Sequence, residues 1–266
     1  SRALATVEKA VAAAPNSIEA HRTRALILAE LGRRADAFAA SRTLQKHIPT
    51  HPAGHILEGE VAFGFKDFAA AETALRKAVA QRKSLETVGA LHATLERIGK
   101  RGEAAALADR WIIENPKDVS FKMLLGQQAL AERDHKRAIE LYRSVVAQQP
   151  RNAVAWNNLA WAAMQKGDTQ AREFAEKALA LAPNNPQIKD TRGMILAEQG
   201  EAKKALVLLR EAAAEAPDLF EIRLSLAKVL LKSGDKDAAK KELDVLAKQN
   251  THTQSRDAAK ELIGRL

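Results

Sequence analysis

With 266 residues, 46% of them apolar and 28% charged, the chain has ample material for a core, but only 4% are aromatic and alanine is abundant, which favours closely packed helices over sheet. The absence of cysteine excludes disulfides, thiolate zinc sites and a thiol nucleophile, and no run of about 18 apolar residues is present to span a membrane. The net charge of +9 is diffuse, at +1 over residues 1–15, +3 over 16–116 and +5 over 117–266 with acids interleaved, so it draws no basic stripe for nucleic acid.

Residues 1–15 form an amphipathic segment without the apolar stretch of a signal peptide, and it ends at Pro15. Further prolines follow at Pro49, Pro116, Pro150, Pro183 and Pro217, at intervals of 34, 67, 34, 33 and 34, with Lys83 in the place of a missing proline. A period near 34 marks one helix–turn–helix per repeat. It predicts seven hairpins, at 16–49, 50–83, 84–116, 117–150, 151–183, 184–217 and 218–251. Each first helix follows a polar pair such as Asn16-Ser17 or Asn184-Asn185. It stops at Gly32, Gly167, Gly200 or Gly234, where glycine supplies the left-handed conformation, or at a charged turn at Lys66, Lys100 or Arg133.

Close helix contact within a hairpin requires small residues. The first helices offer Ala25, Gly59, Ala93, Gly126, Ala160, Gly193 and Ala227, and the second helices Ala37, Ala71, Ala105, Ala138, Ala171, Ala205 and Ala239. Seven residues further on come Ala78, Ile112, Val145, Ala178, Ala212 and Leu246. The last segment, 252–266, carries an apolar stripe of Ala258, Ala259, Leu262 and Leu266 among charges, as a capping helix requires. Residues 1–15 then form the second helix of an incomplete repeat, so the sequence is expected to be the C-terminal part of a longer array.

Trp156, Leu159, Ala160, Gly167, Ala171, Ala178 and Pro183 carry the fullest match to the tetratricopeptide (TPR) repeat family, which the whole chain resembles. The resemblance implies an all-α, right-handed superhelix, an α–α solenoid of seven hairpins with a leading half repeat and a C-terminal cap. First helices would line its concave side, and its work would be binding rather than catalysis. The fifth places of the first helices are Arg22, Ile56, Ala90, Met123, Asn157, Asp190 and Leu224; only Arg22 is basic, so the set of Lys and Arg with which some members clamp a C-terminal carboxylate is absent.

On the inward stripe of the middle repeats stand Met123, Gln127, Asn157, Asn158, Trp161, Met164, Asp190, Thr191 and Met194, continued in the last repeat by Leu224, Ser225 and Lys228. An indole and thioethers supply adaptable apolar area, and side-chain amides both donate and accept, which suits an extended partner segment. The competing reading is structural: such asparagines can bridge neighbouring first helices, and Trp or Met at helical spacing is commoner in cores than in sites. Trp111 and Trp156 fall on inward-packing stripes and are assigned to the core. His47, His51 and His55 are spaced by four, but Pro49 and Pro52 interrupt them, so no metal or other cofactor is expected. Acid–base pairs such as Glu173 and Lys177 mark a solvated face. No phosphate loop, nucleophile elbow or His–carboxylate constellation points to an enzyme.

A narrower resemblance rests on several strings in order: Asn157-Asn158-Leu159-Ala160-Trp161, Ala175-Glu176-Lys177-Ala178, Asp190-Thr191-Arg192-Gly193 and Ser233-Gly234-Asp235-Lys236. Together they are similar to the TPR lipoproteins (PrsT) associated with exosortase and PEP-CTERM sorting. This implies a periplasm-facing or outer-membrane-associated scaffold of a Gram-negative bacterium, lipid-anchored upstream and linked to exopolysaccharide synthesis and export, with a protein or peptide partner in its groove. Two other functions remain open at this point: direct binding of an anionic polysaccharide, and a cytosolic assembly or chaperone adaptor.

Overall fold

A computed structural model describes residues 2–249 and 253–265. Ser1, residues 250–252 and Leu266, which the predicted half repeat, the last repeat boundary and the cap stripe include, lie outside the described residues. Among the described residues are sixteen α-helices and no strand. They are α1 (Arg2–Ala13), α2 (Ile18–Glu30), α3 (Arg34–His47), α4 (Ala53–Gly64), α5 (Phe68–Gln81), α6 (Leu85–Arg97), α7 (Arg101–Glu114) and α8 (Val119–Ala131). There follow α9 (His135–Gln148), α10 (Ala153–Lys166), α11 (Ala171–Leu181), α12 (Pro186–Glu198), α13 (Ala202–Glu215), α14 (Phe220–Lys232), α15 (Lys236–Ala247) and α16 (Thr253–Ile263). The chain forms two compact units, residues 1–121 and 122–266, which divide within α8.

Local chemistry sets the helix limits. Ser17, Asp67, Asp134, Asn152 and Asp235 each accept a hydrogen bond from the backbone N–H three residues on, pairing one of the donors that a helix start leaves open. Ser84 and Thr87 cap α6 reciprocally. The turn inside each hairpin is built the same way seven times. Gly32, Lys66, Gly99, Arg133, Gly167, Gly200 and Gly234 all have positive φ. The N–H of the next residue then reaches back five places, as Arg33 does to Leu28, Asp67 to Ala62 and Asp235 to Leu230. Lys66 at φ 59° and Arg133 at φ 60° adopt a backbone that costs a residue with a Cβ about 1–2 kcal/mol.

The third hairpin departs from the proline count by one residue. Its left-handed residue is Gly99, not Lys100. His92 is buried where Ala93 was expected, and Ala104 and Trp111 are buried where Ala105 and Ile112 were expected. Thr94 is buried, and the fifth place of α6 becomes Gly89 in place of Ala90. The cause is the connection from α5 to α6, which holds only Arg82, Lys83 and Ser84, whereas those after α7, α9, α11 and α13 hold four residues each. Lys83 stands two residues past the end of α5, as the prolines stand past their helices, so a count anchored on it runs one residue late up to Pro116.

Within hairpins, bulk is traded between facing helices. A Cβ added to Gly59 would come 2.7 Å from Leu75 Cγ, one on Gly126 2.7 Å from Tyr142 Cζ, and one on Gly193 2.8 Å from Leu209 Cγ. The third hairpin reverses the sizes, with His92 and Ala108 at the corresponding places, both buried. Either arrangement buries the seam, and each large apolar side chain so buried contributes about 1.5–3 kcal/mol. Trp111 is core, edge-on to Phe121 at 6.4 Å, with its indole N–H donating to Asp118 at 2.7 Å. Trp156 is half-buried against Phe174, its N–H donating to the Pro150 carbonyl and the Lys177 ammonium 4.7 Å from its ring. On the outer faces, pairs such as Glu173–Lys177 are solvated and contribute about 0–1 kcal/mol each.

Candidate binding groove in the second unit

In the second unit, the first helices of successive hairpins bring their inward stripes around one hollow of about 720 Å³. Gln127 and Leu130 come from α8; Val154, Asn157, Asn158 and Trp161 from α10; and Gln187, Asp190 and Thr191 from α12. Glu221, Ile222, Leu224, Ser225 and Lys228 come from α14, with Leu219 before it and Gln254 on α16. A hollow of equal volume lies in the first unit between α1 and α2, where Arg2, Glu19 and three hydroxyl side chains join alanines, Val7 and Ile27 in a wall whose surface is mostly apolar.

Six of the nine candidate residues, Gln127, Asn157, Asn158, Trp161, Asp190 and Thr191, line this hollow together. Met123, Met164 and Met194 do not. Met194 packs against the core cluster that includes Leu209 and Leu226, so the expected Trp–Met patch does not assemble there. Thr191 is largely buried, and its hydroxyl donates to the Gln187 carbonyl of its own helix at 3.1 Å. Gln187 and Glu221 occupy the second places of α12 and α14, the same place as Val154 on α10, so the repeat itself carries the signal that identifies them.

Asn158 is a bridging asparagine, but its bridge runs to the second helix of the preceding hairpin and not, as expected, to a neighbouring first helix. Its Nδ2 donates to the Tyr142 hydroxyl at 3.1 Å, tying α10 to α9. Burial pushes the Tyr142 phenol up to about 12, and the Asn158 hydrogen bond opposes the rise. Asn157 behaves differently: its Oδ1 is buried and has no hydrogen-bond partner.

Asp190 shares that condition, with Oδ1 buried and unpartnered. Burial is the main cause of a carboxyl pKa raised to about 7; the Ser225 hydroxyl and Lys228 pull it down, and Glu221 pushes it up. A carboxylate titrating near neutrality in a concave wall is a candidate contact for a ligand rather than a routine surface acid. Elsewhere, the spaced histidines have local roles. His51 Nδ1 accepts from the Ala53 N–H at 3.2 Å, and no group of three or more His, Asp or Glu is placed to hold a metal among the described residues. Nor is any described helix long and apolar enough to cross a membrane.

Comparison with known proteins agrees with this architecture. A tetratricopeptide repeat family model matches residues 129–195 and 196–266, and a second matches 94–153. Cellulose synthase 2 operon protein C of Komagataeibacter xylinus is 35% identical over 162 residues, covering 58% of this chain and 12% of its own length. Cellulose synthase operon protein C of Pseudomonas fluorescens (strain SBW25) is 34% identical over 104 residues, covering 39% of this chain and 8% of its own. The chain thus spans a small part of these relatives. A tetratricopeptide repeat protein from Parabacteroides merdae superposes with a TM-score of 0.66 at 14% identity, over 79% of this chain and 84% of its own. Pseudomonas aeruginosa PilF does so with a TM-score of 0.57 at 16% identity, over 79% and 96%. Identities this low carry the fold alone.

Proposed function

The chain belongs to the tetratricopeptide repeat family, and we propose that it is a protein-interaction scaffold serving exopolysaccharide synthesis or export in a Gram-negative envelope, with a partner segment held in the hollow of the second unit. Members of the family are generally non-catalytic scaffolds. The observation that carries the reading is the convergence of Asn157, Trp161 and Asp190 from neighbouring hairpins on one hollow. The polysaccharide link is supported by the two relatives that are named for cellulose synthase operons. The wall of the hollow weighs against an anionic glycan there, because it presents Asp190 and Glu221 against a single base, Lys228. The narrower assignment, a lipid-anchored, periplasm-facing member of the PEP-CTERM sorting machinery, rests on the sequence strings given above. The PEP-CTERM part has no counterpart in the names of these two relatives. A cytosolic adaptor role would require a full-length protein without an export signal.

Site-specific photocrosslinking tests the proposal. A crosslinker at Gln127, in the hollow, should trap a polysaccharide synthesis or export protein in the native host, and one at exposed Val207 on α13 should not. Trp161→Ala should lower the yield about tenfold or more, as loss of a central aromatic anchor does. Equal trapping from both positions, or trapping indifferent to Trp161, would reject the site.

A further inference from the structure

Asn157 Oδ1 and Asp190 Oδ1 are acceptors on neighbouring hairpins, 33 residues apart, both in the wall of the same hollow and both buried without a partner. A fold does not leave such atoms unpaired without cost, and two in one wall indicate what an occupant must bring, namely hydrogen-bond donors. The local charge narrows the choice. The lining residues from α8, α10 and α16 are uncharged, and α14 contributes Lys228 and Glu221, which oppose each other beside Asp190. The Ser225 hydroxyl lowers the pKa of the carboxyl. Trp161, one helical turn beyond Asn157 on α10, adds an aromatic surface to the same wall.

We propose that this hollow captures a cationic side chain, specifically an arginine, presented by a partner segment. As the side chains of the wall turn to admit it, the guanidinium donates N–H groups to Asn157 Oδ1 and Asp190 Oδ1 while its plane lies against Trp161. Guanidinium has five donors in a rigid fork and no acceptor, is weakly hydrated, and stacks on aromatic rings, which matches two acceptors and an indole. Backbone amides or sugar hydroxyls could fill the acceptors but would leave the carboxylate charge uncompensated, and an anion would meet two carboxylates. Burial keeps the Asp190 pKa raised even beside Lys228, so capture of a second cation is linked to proton release near neutral pH.

The inference rests on the reading that the hollow holds a partner segment, and the test separates the two. The isotope-labelled full chain is titrated at about pH 8 with acetyl-Gly-Arg-Gly-amide and with the same peptide carrying citrulline, which is nearly isosteric and uncharged. The arginine peptide should shift the Trp161 indole and Asn157 side-chain resonances. Binding should be at least about tenfold weaker for citrulline, and likewise for arginine on Asp190→Asn. Affinity for arginine should fall about tenfold between pH 8 and pH 6, as a carboxyl titrating near 7 goes from mostly ionised to mostly protonated. Citrulline binding as well as arginine, or a neutral cello-oligosaccharide shifting these resonances where arginine does not, would overturn the proposal. Asp190→Asn removes a buried charge, so an otherwise unchanged spectrum would show that the fold is kept. If trapping from Gln127 depends on Trp161 but not on Asp190, this inference alone fails. If it depends on neither, the wider reading fails as well.

Discussion

Asp190→Asn provides the most quantitative test of the groove. Burial is the chief reason that the folded carboxyl is pushed up to about 7 from its ordinary 3.8. At ~1.4 kcal/mol per unit, this corresponds to about 4 kcal/mol as an upper bound, reduced by local relaxation and water to about 1–4 kcal/mol. The sign follows from proton counting. Between about pH 4 and pH 7 the folded chain holds a proton that the unfolded chain has released, so stability falls as pH rises through this window and is flat above it. Below about pH 4 both states are protonated and the penalty vanishes. The asparagine variant lacks this slope, so its advantage should be near zero at about pH 4 and reach its full value by about pH 8. Glu72 and Glu201, whose pKa values are lowered by hydrogen bonds from basic side chains, give slopes of the opposite sign, but these are common to both proteins and cancel in the difference. Denaturant midpoints followed by far-UV circular dichroism across that range measure it. A difference that does not grow with pH, or an asparagine variant less stable at pH 8, would refute the assignment of Asp190 as a desolvated carboxyl.

Two glycines should respond oppositely to alanine. Gly126→Ala places a methyl 2.7 Å from the Tyr142 ring; overpacking of about 1–3 kcal/mol outweighs the ~1 kcal/mol of added helix propensity and should lower the thermal midpoint. Gly89→Ala meets nothing within 4 Å and should raise stability by up to about 1 kcal/mol in the same melt. Asn158→Ala withdraws a donor from the Tyr142 hydroxyl and should cost about 1–3 kcal/mol in chemical denaturation; adding Tyr142→Phe should recover most of that, since removing both partners avoids an unpaired polar atom.

The repeat was legible in the sequence because its signals are local. Prolines, turn glycines and small residues recur where the backbone itself requires them, and the seven hairpin turns follow that rhythm. The third hairpin was misplaced by one residue for an equally local reason: neither a proline nor a helix-stopping glycine marks the boundary near Lys83, and only the short Arg82–Ser84 connection sets it. For the groove, helical spacing gathered Gln127, Asn157, Trp161 and Asp190, which line one hollow. It could not separate Asn157 from its neighbour Asn158, because the latter's role depends on a tyrosine sixteen residues away on another helix. Nor could it place the methionines, whose side chains can turn toward core or groove from one backbone position. The state of Asp190 was hidden for the same reason, since its surroundings come from α14 in the next hairpin.

The exchange of bulk between facing helices has a consequence for how such a chain can change over generations. Gly126 accommodates Tyr142, whereas His92 stands at the equivalent place opposite a seam that carries Ala108. A crossover between hairpins would carry a compatible pair intact. One falling within a hairpin would set an imidazole against a phenol, or a glycine against a methyl, and leave either a clash or a hole. Duplication and loss are therefore expected to proceed in whole two-helix modules, with the junctions in the proline-marked connections.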